Sequence, residues 1–174
     1  MSNFYTHIYL FFFPLILGNV LHMIIVKYNW FKGLAFPISK KMFGNNKTYR
    51  GIIVLPILTG FLALLSSFWF GPFEMSLAYD AFIGFGLGLA YILAELPNSY
   101  IKRRLGISNG EQSKKYKYLQ YFMDKADSLI GVLAFYFLTT IISFETILVL
   151  FCTGIFLHIC ISQLLVSIKI KNKF

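Results

Sequence analysis

Apolar residues run along this chain in five long, nearly unbroken blocks, separated by connections of uneven length. The blocks cover Phe4–Val26, Gly51–Phe73, Leu77–Leu96, Ala126–Ser143 and Glu145–Ile168. Each approaches the roughly 20 apolar residues that a helix needs to cross a bilayer. None alternates with period two, as barrel strands would. The pattern predicts an all-α, polytopic membrane protein of five transmembrane helices, forming one integral membrane domain over residues 1–174. The first block has no basic residue before it and no small-residue cleavage site after it, so it is expected to be a retained helix and not a signal peptide.

Charge orients this pattern. All 16 Lys and Arg lie in three stretches: Lys27 to Arg50, Lys102 to Lys125, and Lys169 to Lys173. The other two connections carry only Glu74, Asp80 and Glu145. Basic loops stay on the cytoplasmic side, which predicts the N-terminus outside and the C-terminus cytoplasmic. Composition agrees, with 57% apolar and 19% aromatic residues, too apolar for a soluble domain of this size. The net charge of +9 then reflects orientation and attraction to anionic headgroups, and no nucleic-acid partner is expected. Cys152 and Cys160 both fall in the fifth block and are expected to be small packing residues, with neither a disulfide nor zinc implied.

Two basic connections, about 27–50 and 97–125, are long enough to build a site. In the first, Gly44, Asn45 and Asn46 mark a turn ahead of Lys47, Thr48 and Arg50. Turn amides can form an anion-binding nest, and the cations add charge. The spacing is not that of a Walker A loop. In the second, Glu95 lies within membrane depth, where an ionisable group must face protein or water. Pro97 is expected to end or kink the helix. Ser99, Lys102 and Arg103 follow, then a turn at Ser108-Asn109-Gly110. The bases and aromatics of 114–124 could stack on nucleic acid, but an interfacial aromatic belt explains them more cheaply.

Asp124 and Asp127 are three residues apart and share a helix face. At the start of the fourth block they could simply favour the helix dipole. They could also hold Mg²⁺, which takes one or two carboxylates and completes its shell with substrate phosphates, with Glu95 as a third acid. His7, His22 and His158 lie in apolar blocks without ligand spacing and are expected to be packed or hydrogen-bonded; Asn19 and His22 are close enough to the basic end of the first block to line a site. Gly84, Gly86 and Gly88 suit close helix packing and are no dinucleotide fingerprint, since no strand precedes them.

Three stretches in this order, Phe43-Gly44-Asn45-Asn46-Lys47-Thr48-Tyr49-Arg50-Gly51, Glu95 through Ile107, and Asp124-Lys125-Ala126-Asp127, resemble the CDP-archaeol synthase family, relatives of bacterial phosphatidate cytidylyltransferases. Ala94-Glu95 stands where the family usually has Gly-Asp, and Tyr49 where it has Trp. The Lys-Asp and His-Gly-Gly elements of the larger bacterial enzymes are missing, as in the shorter archaeal-type branch. The resemblance implies that CTP and a membrane lipid phosphate give a CDP-lipid and pyrophosphate, with Mg²⁺ as cofactor. It implies Asp124, Asp127 and Glu95 as metal ligands. Lys47, Arg50, Lys102 and Arg103 would then hold phosphates, and Asn46, Thr48 and Ser99 would supply hydrogen bonds. Asp124, Asp127, Lys102 and Lys47 would carry the catalysis, at the cytoplasmic face of the cell membrane. A homodimer is compatible with this reading. The alternatives are a non-catalytic lipid-binding scaffold, and a CDP-alcohol phosphotransferase, whose Asp-Gly-x2-Ala-Arg run is missing.

Overall fold

The computed structural model describes residues 6–108, 111 and 116–170. Among these the chain is helical, with no strand beyond an isolated bridge between Pro37 and Thr48. A π-helical segment, His7–Phe12, runs into α1, Phe13–Lys27. A 3-10 turn at Lys32–Leu34 and a short helix, α2 (Lys40–Phe43), fill the first basic connection. Then come α3 (Tyr49–Phe70), α4 (Leu77–Arg104), α5 (Lys117–Thr139) and α6 (Phe144–Ser167). Four helical stretches, His7–Lys27, Tyr49–Phe70, Leu77–Arg104 and Phe144–Ser167, are long and apolar enough to cross a membrane. The expected fourth span, Ala126–Ser143, overlaps α5 only as far as Thr139, and α5, with its basic and acidic first half, is not among these four.

Small residues decide how tightly the helices meet. A Cβ on Gly84 would fall 2.4 Å from Ala63 Cβ, and one on Gly88 would fall 2.2 Å from Thr59 Oγ1. Both glycines therefore let α4 lie directly on α3. Gly86 receives the Phe135 ring of α5. Gly131 of α5 faces Ala94 of α4, where a Cβ would come within 2.3 Å of the alanine methyl. The apolar core gathers Leu10, Phe11, Ile83, Leu87, Val132 and Tyr136, all toward the end opposite the basic connections. There His7 meets the Tyr136 hydroxyl at 3.1 Å, and buried Asp80 accepts hydrogen bonds from Ser67, Phe73 N and Glu74 N. One end of the bundle is thus firmly packed, and the other is left to polar side chains.

Three sequence expectations change. The helix does not stop or break at Pro97: α4 continues to Arg104. A mid-helix proline removes one backbone hydrogen bond, but Asn98 and Lys102 beyond it are tied to α5 by side-chain bonds that need helical register. The 97–125 connection is accordingly mostly helix. α5 begins at Lys117, so Asp124 and Asp127 sit about two turns inside it and not at its start. The dipole explanation for the acid pair fails, because that field fades beyond the first turn. Cys152 and Cys160 are free and lie on the exposed side of α6, so they do not serve as packing residues. Phe4, the Asn109-Gly110 turn, Lys114, Lys115, Lys171 and Lys173 lie outside the described residues.

Candidate functional site

The basic end of the bundle is formed by the C-termini of α1 and α4, the N-terminus of α3 and the first half of α5. Continuation of α4 through Pro97 puts Tyr91, Glu95, Asn98 and Lys102 at spacings of four, three and four, a single helix stripe. That stripe faces the acids of α5. The Asn98 side-chain amide donates to Asp124 Oδ1 and to Asp127 Oδ2, each at 2.7 Å. Lys102 Nζ sits 2.5 Å from Asp124 Oδ1 and 2.6 Å from its Oδ2. Two carboxylates therefore converge on one small donor. Both are only partly buried among the helices, and that partial burial makes such a partner worth having.

The first basic connection brings a second cation to the same place. Ser39 caps α2 by accepting from Met42 N, and Gly44 leaves that helix at φ 82°, a left-handed conformation that suits glycine. The chain then turns back so that Ile38 N donates to Lys47 O and Tyr49 N to Phe36 O. This closes a compact loop, with the Phe36 and Tyr49 rings 4.7 Å apart. Lys47 emerges from it to pair with Glu95. Glu95 lies within electrostatic reach of both His22 and Asp127, so the Lys47–Glu95 pair and the Asp124–Asp127 pair belong to one charged cluster. His22 is also the neighbour of Gly51, whose Cβ would lie 3.8 Å from its ring.

The remaining candidates are placed differently. Arg50 is buried and turned toward the loop: its Nη1 donates to Trp30 O at 3.0 Å and to Asn29 Oδ1 at 3.3 Å. In this structure it fastens a stretch whose Asn29 and Phe31 both take left-handed backbone angles. Ser99 Oγ donates to Glu95 O within its own helix. Thr48 stands at the N-cap of α3 without a side-chain cap bond, and Asn46 is exposed. Arg103 Nε is buried and has no hydrogen-bond partner.

Among the described residues, no three acids or histidines form a metal-holding group. Asp124 and Asp127 meet as a pair, and Glu95 stands against Lys47. The pair's chemistry nonetheless suits a hard divalent cation: all its oxygens are carboxylate, and one atom can touch both groups, as the Asn98 nitrogen does. Mg²⁺ asks a protein for no more than one or two carboxylates. Asn98 is the site residue that the sequence reading passed over. Its signal was the helical spacing to Glu95 and Lys102, hidden by the expectation of a break at Pro97.

The family model for CarS-like CDP-archaeol synthases matches residues 4–174. The chain is 26% identical to the CDP-archaeol synthase of Methanocaldococcus jannaschii over 147 residues, 80% of this chain and 79% of that one. It is 36% identical to the CDP-archaeol synthase of Methanoregula boonei over 75 residues, 42% and 45% of the two chains. No solved structure matches it significantly. With a match across nearly its whole length, the chain belongs to the CDP-archaeol synthase family and is a cytidylyltransferase of lipid biosynthesis.

Proposed function

We propose that the chain forms one membrane domain of five spanning helices, with the N-terminus outside and the C-terminus cytoplasmic. It would carry out a Mg²⁺-dependent transfer of CMP from CTP to a lipid phosphate at the cytoplasmic face of the cell membrane. The observation that carries this reading is the convergence of Asp124 and Asp127 on Asn98, ringed by Lys102, Lys47 and Glu95. α5, with its polar first half at the headgroup level and its apolar second half beyond Asp127, completes the fifth crossing.

The lipid phosphate oxygen attacks the α-phosphorus of CTP. A new P–O–P linkage forms, the α–β bond breaks, and pyrophosphate leaves with the electron pair. A phosphate monoester with a second pKa of about 6 is mostly ionised at neutral pH. The chain therefore needs no Ser, Cys or His base; its work is positioning and charge neutralisation. Asp124 and Asp127 would hold Mg²⁺, with Glu95 as a third acid when Lys47 turns from it to a nucleotide phosphate. When bound, the ion supplies charge neutralisation on the nucleotide phosphates and the leaving pyrophosphate. Lys102 moves from Asp124 onto phosphate in the same exchange. Asn98 keeps the two aspartates together. Arg103, with a buried Nε still to be satisfied, reaches a phosphate. Arg50 contributes its charge while holding the Asn29–Trp30 stretch, and Asn46, Thr48 and Ser99 offer hydrogen bonds at the rim.

Purified protein should release pyrophosphate from CTP only when Mg²⁺ and a lipid phosphate are both present. Silence across ester, ether and polyprenyl lipid phosphates would overturn the proposal.

A further inference from the structure

The connection between α1 and α3 exposes an unusual amount of aromatic surface for a polar loop. Tyr28, Trp30, Phe31 and Phe36 are each more than half exposed, although they lie beyond the end of α1. Scattered exposed rings need no account, but a cluster of them marks a contact surface. Lysines are interleaved with the rings. Lys27, Lys32, Lys40 and Lys41 are all exposed. Lys27 Nζ lies 5.5 Å from the centre of the Tyr28 ring, and that ring lies 6.3 Å from Trp30. Cationic and aromatic surface therefore share one place.

The chain supplies no counter-charge nearby. The sequence holds no Asp or Glu before Glu74. Among the described residues none of these four lysines joins an ion pair, while Glu95 and Asp124 are taken by Lys47 and Lys102. A run of bases directly after a spanning helix, mixed with Trp and Tyr, fits an anionic leaflet surface. Headgroup phosphates take the ammonium groups, and the rings rest at the boundary between headgroups and acyl chains. The patch follows α1 without a spacer, so the leaflet is always within reach, which favours lipid over a soluble polyanion.

This patch is tied to the charged cluster. Asn29 and Phe31 both have φ of 54°, uncommon for any residue but glycine and kept only where neighbours hold it. Buried Arg50, on α3, donates to Trp30 O and Asn29 Oδ1 in this stretch. Farther along, Ile38 N donates to Lys47 O, and Tyr49 N to Phe36 O. The backbone that presents Lys47 to Glu95 is thus hydrogen-bonded to the segment that carries Phe36.

We propose that residues 27–41 are a docking surface for the anionic headgroups of the cytoplasmic leaflet, and that seating it holds the loop that presents Lys47. The partner is the bulk lipid of the leaflet and not the lipid phosphate that reacts. Turnover then follows the surface charge of the membrane. This rests on the cytidylyltransferase reading for the cytoplasmic placement of the loop and for the role of Lys47.

Trp30 reports docking directly, because Trp69→Phe leaves it the lone tryptophan. The full-length protein would be placed in nanodiscs of phosphatidylcholine, alone or with roughly one-third phosphatidylglycerol. Both carry the same fraction of a phosphatidylcholine brominated near the top of its acyl chains. Trp30 should be quenched about twofold more in the anionic discs, and molar salt should erase the difference by shortening the Debye length to about 3 Å. The variant Lys27→Gln/Lys32→Gln/Lys40→Gln/Lys41→Gln should quench equally in both discs, since each lysine shifts seating roughly fivefold. Pyrophosphate release at equal CTP and lipid phosphate should rise about twofold or more with the anionic lipid in wild type, and stay flat in the variant. Quenching that ignores lipid charge and salt overturns the docking surface. Charge-dependent quenching beside a flat wild-type turnover overturns its link to Lys47. Charge-dependent quenching with no turnover in either disc supports the docking surface and sinks the cytidylyltransferase reading alone.

Discussion

At the residue scale, the site depends on who neutralises whom. Asp124 and Asp127 are held together by one amide nitrogen, and Asp124 is gripped by Lys102 through both oxygens. Removing one charge should therefore do more than remove one ligand. Asp127→Asn should reduce turnover to below a few per cent while the protein still inserts and purifies. Activity well above that level would remove Asp127 as a ligand. Asn98 supports the pair without carrying charge. Loss of such an outer partner typically costs about 10- to 100-fold in metal affinity or activity. Asn98→Ala should shift the Mg²⁺ titration of pyrophosphate release to higher concentration by a factor in that range. An unchanged Mg²⁺ dependence would make Asn98 a purely structural bond. Asn98, with an uncharged side chain that matched no metal pattern, escaped the sequence reading. The acids and lysines were legible because charges at membrane depth need a reason.

At the element scale, α4 decides the geometry. Its apolar block was legible, but its end was not: a proline normally predicts a stop, and only side-chain bonds to α5 show why the helix carries on. If those bonds hold the register and the proline merely costs a backbone bond, Pro97→Ala should keep activity within about twofold and raise the melting temperature. A large loss of activity would mean that the proline itself shapes the stripe. The α4–α5 contact is also close. Ala94, where the family usually has glycine, is accommodated by Gly131 opposite it. Gly131→Leu should drive the helices apart and separate Asn98 from both aspartates. Turnover should fall at least tenfold, since small misplacements of reacting groups are expensive. Wild-type kinetics in that variant would show that the helices repack freely. The start of α5 was also misjudged, because a polar, aromatic first half carries no hydropathy signal of a helix.

At the scale of the whole molecule, the bundle divides its labour between two ends. The core around Tyr136 and Leu87 fixes the helices at one end, while the other end is assembled from charged side chains that can exchange partners. The sidedness of this arrangement is testable. With Cys152 and Cys160 replaced by Ala, a membrane-impermeant thiol reagent should label Met75→Cys in intact cells, and Lys41→Cys only after the membrane is opened. The reverse pattern would invert the topology and move the site to the other face. The sequence by itself determined the apolar blocks, the segregation of charge and the three polar stretches, because hydropathy and charge act locally along a chain and leave a one-dimensional trace. Only the tertiary structure decided that α4 runs through Pro97, that Asn98 joins the two aspartates and that Lys47 folds back onto Glu95. Those outcomes are set by contacts between residues tens of positions apart, whose energies depend on close packing and on satisfying buried charges, and neither leaves a mark in the spacing of any one segment.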